Sequence, residues 1–386
     1  MISCSRRFAP GMLLLAVFVL IPSCSNLEYR PEAIGREGEL TVVIDSARWA
    51  GPLGDSIRAN LAPWITTLPA PEQEFRLVQM PITTEASFKD IQKHKNLVFV
   101  APLQDSTAEA AFLRSRLEPD VLEMIMGGRS AVAGRPNLWR SNQLIYYVMA
   151  PTAEMASLAI RDNAEGMRFA FNRITRQRVT REMFSKGRQS DIEERMMEKH
   201  GFAVNAQHDY FVATDTTNFF WMRRVVNQNS WRSFFVYYVE NASPSSLTPE
   251  WILEARSRLT ETYLTGNVDD FFADTDFRRN LTTENIDFEG RFGYETRGLW
   301  HMISRDENGE IIEYGMGGPF ITHAFYDEDT RRIYLMDGMV FAPNFPKREF
   351  LRHMESIAHT FRTAEDVVRR QQQAEAQQTA EKTETE

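Results

Sequence analysis

Seven histidines are the side chains best suited to proton transfer or metal ligation: His94, His200, His208, His301, His323, His353 and His359. None has a partner at metal-ligand spacing. His353 and His359 are six residues apart on a predicted helix, so they face different ways. His301 and His323 fall on predicted strands and could meet across a sheet. Asp269, Asp270, Asp274 and Asp276 gather with Asn267 in an oxygen-rich stretch of the kind calcium favours. The EF-hand spacing is absent, and Phe271-Phe272 interrupt the run, so a solvated turn is the simpler reading. Gly51–Asp55 offers backbone N–H groups to an anion, but Asp55 at a helix start would repel one. No Gly-x-Ser-x-Gly elbow, Walker loop, Gly-x-Gly-x-x-Gly or His-Glu-x-x-His occurs. The sequence assigns no catalytic residue and asks for no metal and no cofactor.

The cysteines are Cys4 and Cys24. Arg6 and Arg7 precede an unbroken apolar run from Met12 to Ile21, which Pro22-Ser23-Cys24 closes. A basic start, a short apolar run and a small residue at the cut describe a secretory signal. The run is too short for a bilayer core of ~30 Å, which takes about 20 residues. A cysteine after Ser23, with Ile21 at the third position before it, resembles the bacterial lipobox; Pro22 departs from the usual residue. This resemblance implies that residues 1–23 are a lipoprotein signal peptide. It also implies that Cys24 carries acyl chains of the palmitate class. The chain would then sit on a cell-envelope membrane facing the periplasm, outer rather than inner. One chain holds marginally, at about 0.8 kcal/mol per buried methylene, while two hold stably. With Cys4 removed and Cys24 acylated, no thiol is left for a disulfide, a zinc site or a nucleophile.

The formal net charge is −9, and removing Arg6 and Arg7 deepens it. That acidity argues against nucleic acid and against a polybasic grip on anionic lipid.

The elements alternate. Residues 24–38 read as a tether. Apolar runs at 40–44, 75–80, 96–101 and 144–149 read as strands. Between them fall a helix capped by Asp55, one at 84–94, and one from Ser106 to Met126 opened by a Ser106/Glu109 capping box. Ile160, Ala164, Met167, Phe171 and Ile174 then mark a long helix. The composition turns polar at Gly187, so the N-terminal half is placed at 39–187 and the C-terminal half at 188–362. The second half reads as a Ser190/Glu193-capped helix, strands at 210–214, 219–226 and 233–240, and a helix opened by Thr248-Pro249. A β-rich stretch and a last helix at 346–361 follow. Residues 363–386 lack large apolar side chains beyond Val368 and read as a disordered polar tail. The fold class is α+β, two sheet-plus-helix halves. Trp139-Arg140-Ser141 and Trp231-Arg232-Ser233 both lead into strands and then helices, the signature of a divergent internal repeat.

Met316-Gly317-Gly318-Pro319-Phe320, Tyr334-Leu335-Met336-Asp337-Gly338 and Val340-Phe341-Ala342-Pro343 form the most specific stretch. With Trp49, Gly51, Gly54 and Asp55 they make the chain, from about Leu40 to Phe361, resemble a domain-of-unknown-function family of Bacteroidota envelope lipoproteins. The resemblance implies a lipid-anchored envelope protein and carries over no binding or catalytic residue. From the residues themselves, the Gly317-Gly318-Pro319 group reads as a turn. Lys347 and Arg348 stand at a helix start, against its dipole, as a contact for an envelope protein partner or a carboxylate within the fold. O-glycosylation in that phylum resembles Asp-Ser/Thr followed by an aliphatic residue or Thr. Ser46, Ser56, Ser106 and Thr216 match it. The expected function is a non-enzymatic binding or assembly component at the membrane surface. The alternative is an envelope hydrolase acting on glycan or peptide, which would show paired carboxylates or a His–carboxylate pair in a cleft.

Overall fold

The computed structural model describes residues 30–227, 230–266 and 270–385. Cys24, the expected signal, and Asn267 and Asp269 of the aspartate cluster lie outside them. The chain is α+β, with two sheets that each carry their own helices.

The N-terminal elements are β1 (Glu39–Val43), α1 (Ser46–Ala50), α2 (Pro52–Leu61), the short pair β2 (Trp64–Ile65) and β3 (Glu72–Gln73), β4 (Arg76–Gln79), α3 (Glu85–Ile91) and β5 (Asn96–Pro102). Next come α4 (Ala108–Arg114), α5 (Pro119–Met126), β6 (Ala131–Pro136), β7 (Leu144–Ala150) and α6 (Ala153–Ser185). The sheet runs β4-β1-β5-β7-β6, parallel except for β6 against β7. Strand β5 is buried at every residue, as a parallel strand covered on both faces must be. One face packs Leu53 and Ile57 of α2 and Ile160 and Phe171 of α6. The other packs Ile91, Leu113 and Ile125 of α3 to α5.

Helix α6 has 33 residues and is about 50 Å long. Its first turns fill the first core with Ala156, Ile160 and Met167, and its last turns fill the second with Val179 and Met183. Arg178, buried between them, donates to Glu37 at 3.0 Å and to Asn96 at 3.0 Å.

The C-terminal elements are α7 (Ser190–His200), β8 (Phe202–Ala203), β9 (Phe211–Asp215), β10 (Phe219–Asn227), β11 (Ser230–Val239) and α8 (Pro249–Tyr263). They continue with β12 (Phe272–Thr275), β13 (Thr282–Phe288), β14 (Arg291–Arg305), β15 (Ile311–Asp327), β16 (Arg332–Phe341), α9 (Arg348–Ala358), β17 (Arg362–Thr363) and α10 (Ala364–Thr385). The eight-stranded antiparallel sheet runs β12-β14-β15-β16-β11-β10-β9, with β13 also on the free edge of β14. Side chains alternate between faces. Ile333, Leu335 and Met339 of β16 meet α8, while Tyr334, Met336 and Val340 meet α9 and α7. Gly338 lies under α9, where a Cβ would stand 2.4 Å from Cβ of Met354.

Several expectations change. The two sheets differ in topology, one mostly parallel and one antiparallel, so the echo is not a structural repeat. Trp139-Arg140-Ser141 precedes β7, whereas Trp231-Arg232-Ser233 lies inside β11. The expected helix from Ser106 to Met126 is two, because Pro119 cannot continue α4 and instead opens α5; Thr107, not Ser106, caps α4. Asp55 lies inside α2, which Gly51 and Pro52 open. Gly317 and Gly318 are not a turn but lie within β15, where a Cβ on Gly318 would fall 2.0 Å from the Val340 carbonyl. The polar tail carries the helix α10, as its Ala, Glu and Gln content allows, and is exposed from Val368 to Gln377; among the described residues no large apolar side chain beyond Phe361 packs into the cores.

Candidate functional site

Period-two alternation builds a hollow on one face of the second sheet. On β10, Trp221 and Arg223 point to the α8 face, while Met222 and Arg224 point to the α9 face. On β11, opposite them, Trp231 and Ser233 share the α8 face. Helix α8 covers that face only as far as Tyr263. Beyond its end the chain passes through Leu264 to Gly266, leaving a pocket of about 400 Å³. Trp221, Trp231, Phe271 and Tyr314 supply aromatic walls. Met302, Met316 and Met339, one from each of β14, β15 and β16, form the floor, a polarizable lining that adapts to its occupant.

Arg223 is the pocket's cation. Its guanidinium carbon lies 5.3 Å from the Trp221 ring centre and 5.5 Å from that of Trp231. Its Nε has no hydrogen-bond partner, and among the described residues no carboxylate reaches it. Burial alone lowers its pKa below the usual arginine value. Trp221 Nε1 donates to Ser233 Oγ at 2.5 Å, which fixes the indole. The lining contains no histidine, cysteine, lysine, aspartate or glutamate.

The His–carboxylate pairs lie outside this pocket: His200–Asp215 and His323–Glu295 are largely buried, whereas Glu289, paired with His359, and Glu313, 3.4 Å from His301, are each nearly half exposed. His200 bonds Asp215 at 2.9 Å, and Arg195 and Lys199 also hold that carboxylate. Burial lowers the His200 pKa despite Asp215. His323 contacts Glu295 at 3.2 Å; Arg297 bonds Glu295 and reaches Glu355, which Arg176 also binds at 2.8 Å. Burial pushes the Glu295 carboxyl up, but Arg297 and His323 overcome it and hold it well below the usual range. This network ties α6 and α9 to the sheet. His359 pairs with Glu289 at 2.7 Å, and its ring stands 5.6 Å from that of His323. His301 and His323 do not meet: they register with Gly317 and Glu295. Asp274 bonds Ser257 and Asp276 bonds Arg278, and the described residues contain no metal-binding group.

Lys347 and Arg348 stand at the start of α9, with Lys347 in the capping position. The Glu72 carboxylate accepts both their backbone N–H groups, at 2.6 and 3.1 Å, and so caps α9 from the other half of the chain. Arg348 donates to the Gln73 carbonyl and to Glu349, both at 2.7 Å. Lys347 Nζ reaches only the Pro343 carbonyl, at 3.3 Å. Ser46 and Ser106 are exposed, on either side of the Arg48–Asp105 pair. Ser56 is half-buried on α2. Thr216 is half-buried and follows Asp215, whose side chain is 3% exposed.

Residues 33–184 match the family model described as a domain of unknown function (DUF8532), and residues 189–360 match the one described as a domain of unknown function (DUF4837). Two uncharacterised domains make up most of the chain. No curated protein matches it. Among solved structures, it is similar to the Saccharomyces cerevisiae Ran-binding protein Mog1p, at 10% identity and a TM-score of 0.29 over 42% of this chain and 90% of that one. A Mog1 point mutant gives 9% and 0.28 over 42% and 90%. A Bacteroides thetaiotaomicron protein gives 14% and 0.17 over 42% and 45%. At such TM-scores these likenesses bear on neither fold nor function.

Proposed function

We propose that this chain is a lipid-anchored cell-envelope protein that binds a ligand in the α8-face pocket and does not hydrolyse it. The observation that carries the reading is the pocket's lining: aromatic and thioether walls, one arginine, and no histidine or carboxylate, with Ser233, Thr265 and Asn227 as its other polar side chains. Ligand sites are mostly apolar with a few placed polar groups. Glycan hydrolysis needs two carboxylates flanking the bond, and the pocket's lining contains none. The anchor rests on the Arg6 to Cys24 pattern, and the outer membrane of a Bacteroidota envelope rests on the family resemblance. Exposure favours Ser46 and Ser106 over Ser56 and Thr216 as glycan acceptors, and Lys347 over Arg348 as a contact for an envelope partner.

Two measurements test this. Labelling cells with a clickable fatty acid should mark the wild type and spare Cys24→Ala; equal labelling refutes the anchor. Native mass spectrometry of protein extracted from the envelope should show a small-molecule adduct on the wild type that is absent from Met316→Trp, which fills the pocket. Identical spectra refute binding there.

A further inference from the structure

We infer that the α8-face pocket takes a small amphiphile with an apolar body and a single anionic head, and that Arg223 holds the head. This rests on the binding reading and names the ligand's chemistry. Two arginines nearby are matched by carboxylates, while Arg232 on β11 is buried against Phe350 with none, on the face away from the pocket. Arg224, the next residue on β10, pairs with Asp209 at 2.6 Å across the other face. Arg256, under α8, pairs with Asp337 at 2.9 Å. Arg223 has neither carboxylate nor hydrogen bond at its Nε, and two indoles flank it. Cation–π contact accounts for its position but leaves the guanidinium's donors unused. Those donors form a planar fork suited to an oxyanion.

The rest of the lining fixes the body. Ser233 Oγ is already taken by Trp221. Thr265 and Asn227 line the pocket too but are exposed, so a sugar or peptide buried deeper, against methionine and indole, would leave its own polar groups unpaired, at a cost for each. An apolar body loses nothing there. The volume of about 400 Å³ suits a small molecule. Val225 and Tyr314 line the pocket and are each half exposed, and Ile311 and Ile312 lie exposed on the same end of β15, giving the mouth an apolar rim.

A matched pair of dyes tests the inference: 8-anilinonaphthalene-1-sulfonate, and N-phenyl-1-naphthylamine, which has the same rings and no sulfonate. Each is titrated into the full chain in phosphatidylcholine nanodiscs, with empty discs subtracted. Energy transfer from tryptophan is read, and thermal melting checks each variant's fold. The wild type should bind the sulfonate about ten-fold tighter than its neutral twin, the scale of one charge-assisted hydrogen-bonded contact. Arg223→Met should erase that preference while keeping the neutral dye, and Met316→Trp should weaken both. If Arg223→Met melts early, Arg223→Gln replaces it and should likewise lose the preference. No preference in the wild type, or a preference surviving loss of the charge, overturns the role of Arg223 and leaves the pocket standing. If neither dye binds, or both bind Met316→Trp as well as the wild type, the pocket reading itself falls.

Discussion

Replacing Asp337 with leucine should destabilise the protein by about 3–5 kcal/mol, the cost of leaving a buried charge without its partner. Asp337 and Arg256 are both fully buried between α8 and the second sheet. Arg256 Nε donates to Asp337 Oδ2 at 2.9 Å, and Thr322 Oγ1 donates to the same oxygen at 2.5 Å. Arg256 Nη1 donates to Thr275 Oγ1 at 2.8 Å, and the guanidinium carbon lies 3.6 Å from the Phe320 ring centre. Leucine keeps the branched four-atom side chain with bulkier methyl ends, so the change opens no cavity; it strands the cation where no water can reach it. The double variant Arg256→Met/Asp337→Leu removes both charges. It leaves two threonine hydroxyls each short of a partner, about 1 kcal/mol apiece, and gains apolar packing. It should therefore unfold within about 2 kcal/mol of the wild type and be more stable than Asp337→Leu alone. Urea unfolding at pH 7 of the wild type, both single variants and the double variant gives the coupling directly. A cost below about 1 kcal/mol for Asp337→Leu, or a double variant weaker than both singles, would refute the reasoning.

His353 is held down to about 3 by burial and by Arg232 and Arg224. The unfolded chain protonates it below about 6.5 while the folded chain does not, so stability falls with pH through that window, by up to about 1.4 kcal/mol per unit. His353→Leu should therefore lose less stability than the wild type between about pH 6 and 4.5; parallel losses count against this. Glu72→Ala removes the cap on α9 and should cost about 1 kcal/mol in urea unfolding, with no change pointing to a cap that is absent in solution. Truncation after Val368 removes an exposed helix and should leave the melting temperature within a few degrees; a large drop would show that α10 docks.

The α+β class and most element positions were legible because apolar runs and punctuation agreed locally. Thr248 and Pro249 do open α8. What failed was non-local. Glycine reads as a turn signal, yet Gly318 and Gly338 serve the close approach of Val340 and Met354, partners that sequence spacing does not reveal. Lys347 and Arg348 looked misplaced because their helix cap, Glu72, lies 275 residues away. The pocket was missed for a similar reason. Trp221-Met222-Arg223-Arg224 reads as the basic end of a strand, and nothing local says that one arginine meets Asp209 and its neighbour meets only indoles. Parity was the available signal: positions 221 and 223, with 231 and 233 opposite, share one face.

The two faces of the second sheet do different work, and the same parity assigns it. The α9 face is consumed by attachment to the first half: Arg176 reaches Glu355, Arg352 donates to the Glu74 carbonyl at 2.8 Å, and Glu72 caps α9. Glu295 and Glu355 are spent on that joining through Arg297 and Arg176, which ties up the His323–Glu295 pair. The α8 face carries no such duty. Its helix ends before the sheet does, and the uncovered strands bring tryptophan, methionine and one unmatched arginine together without a structural partner to explain the charge. Arg232 is also buried without a carboxylate, but it packs inside the core on Phe350, whereas Arg223 opens onto a pocket between two indoles. Its presence there is the physical ground for assigning binding to the α8 face and support to the rest.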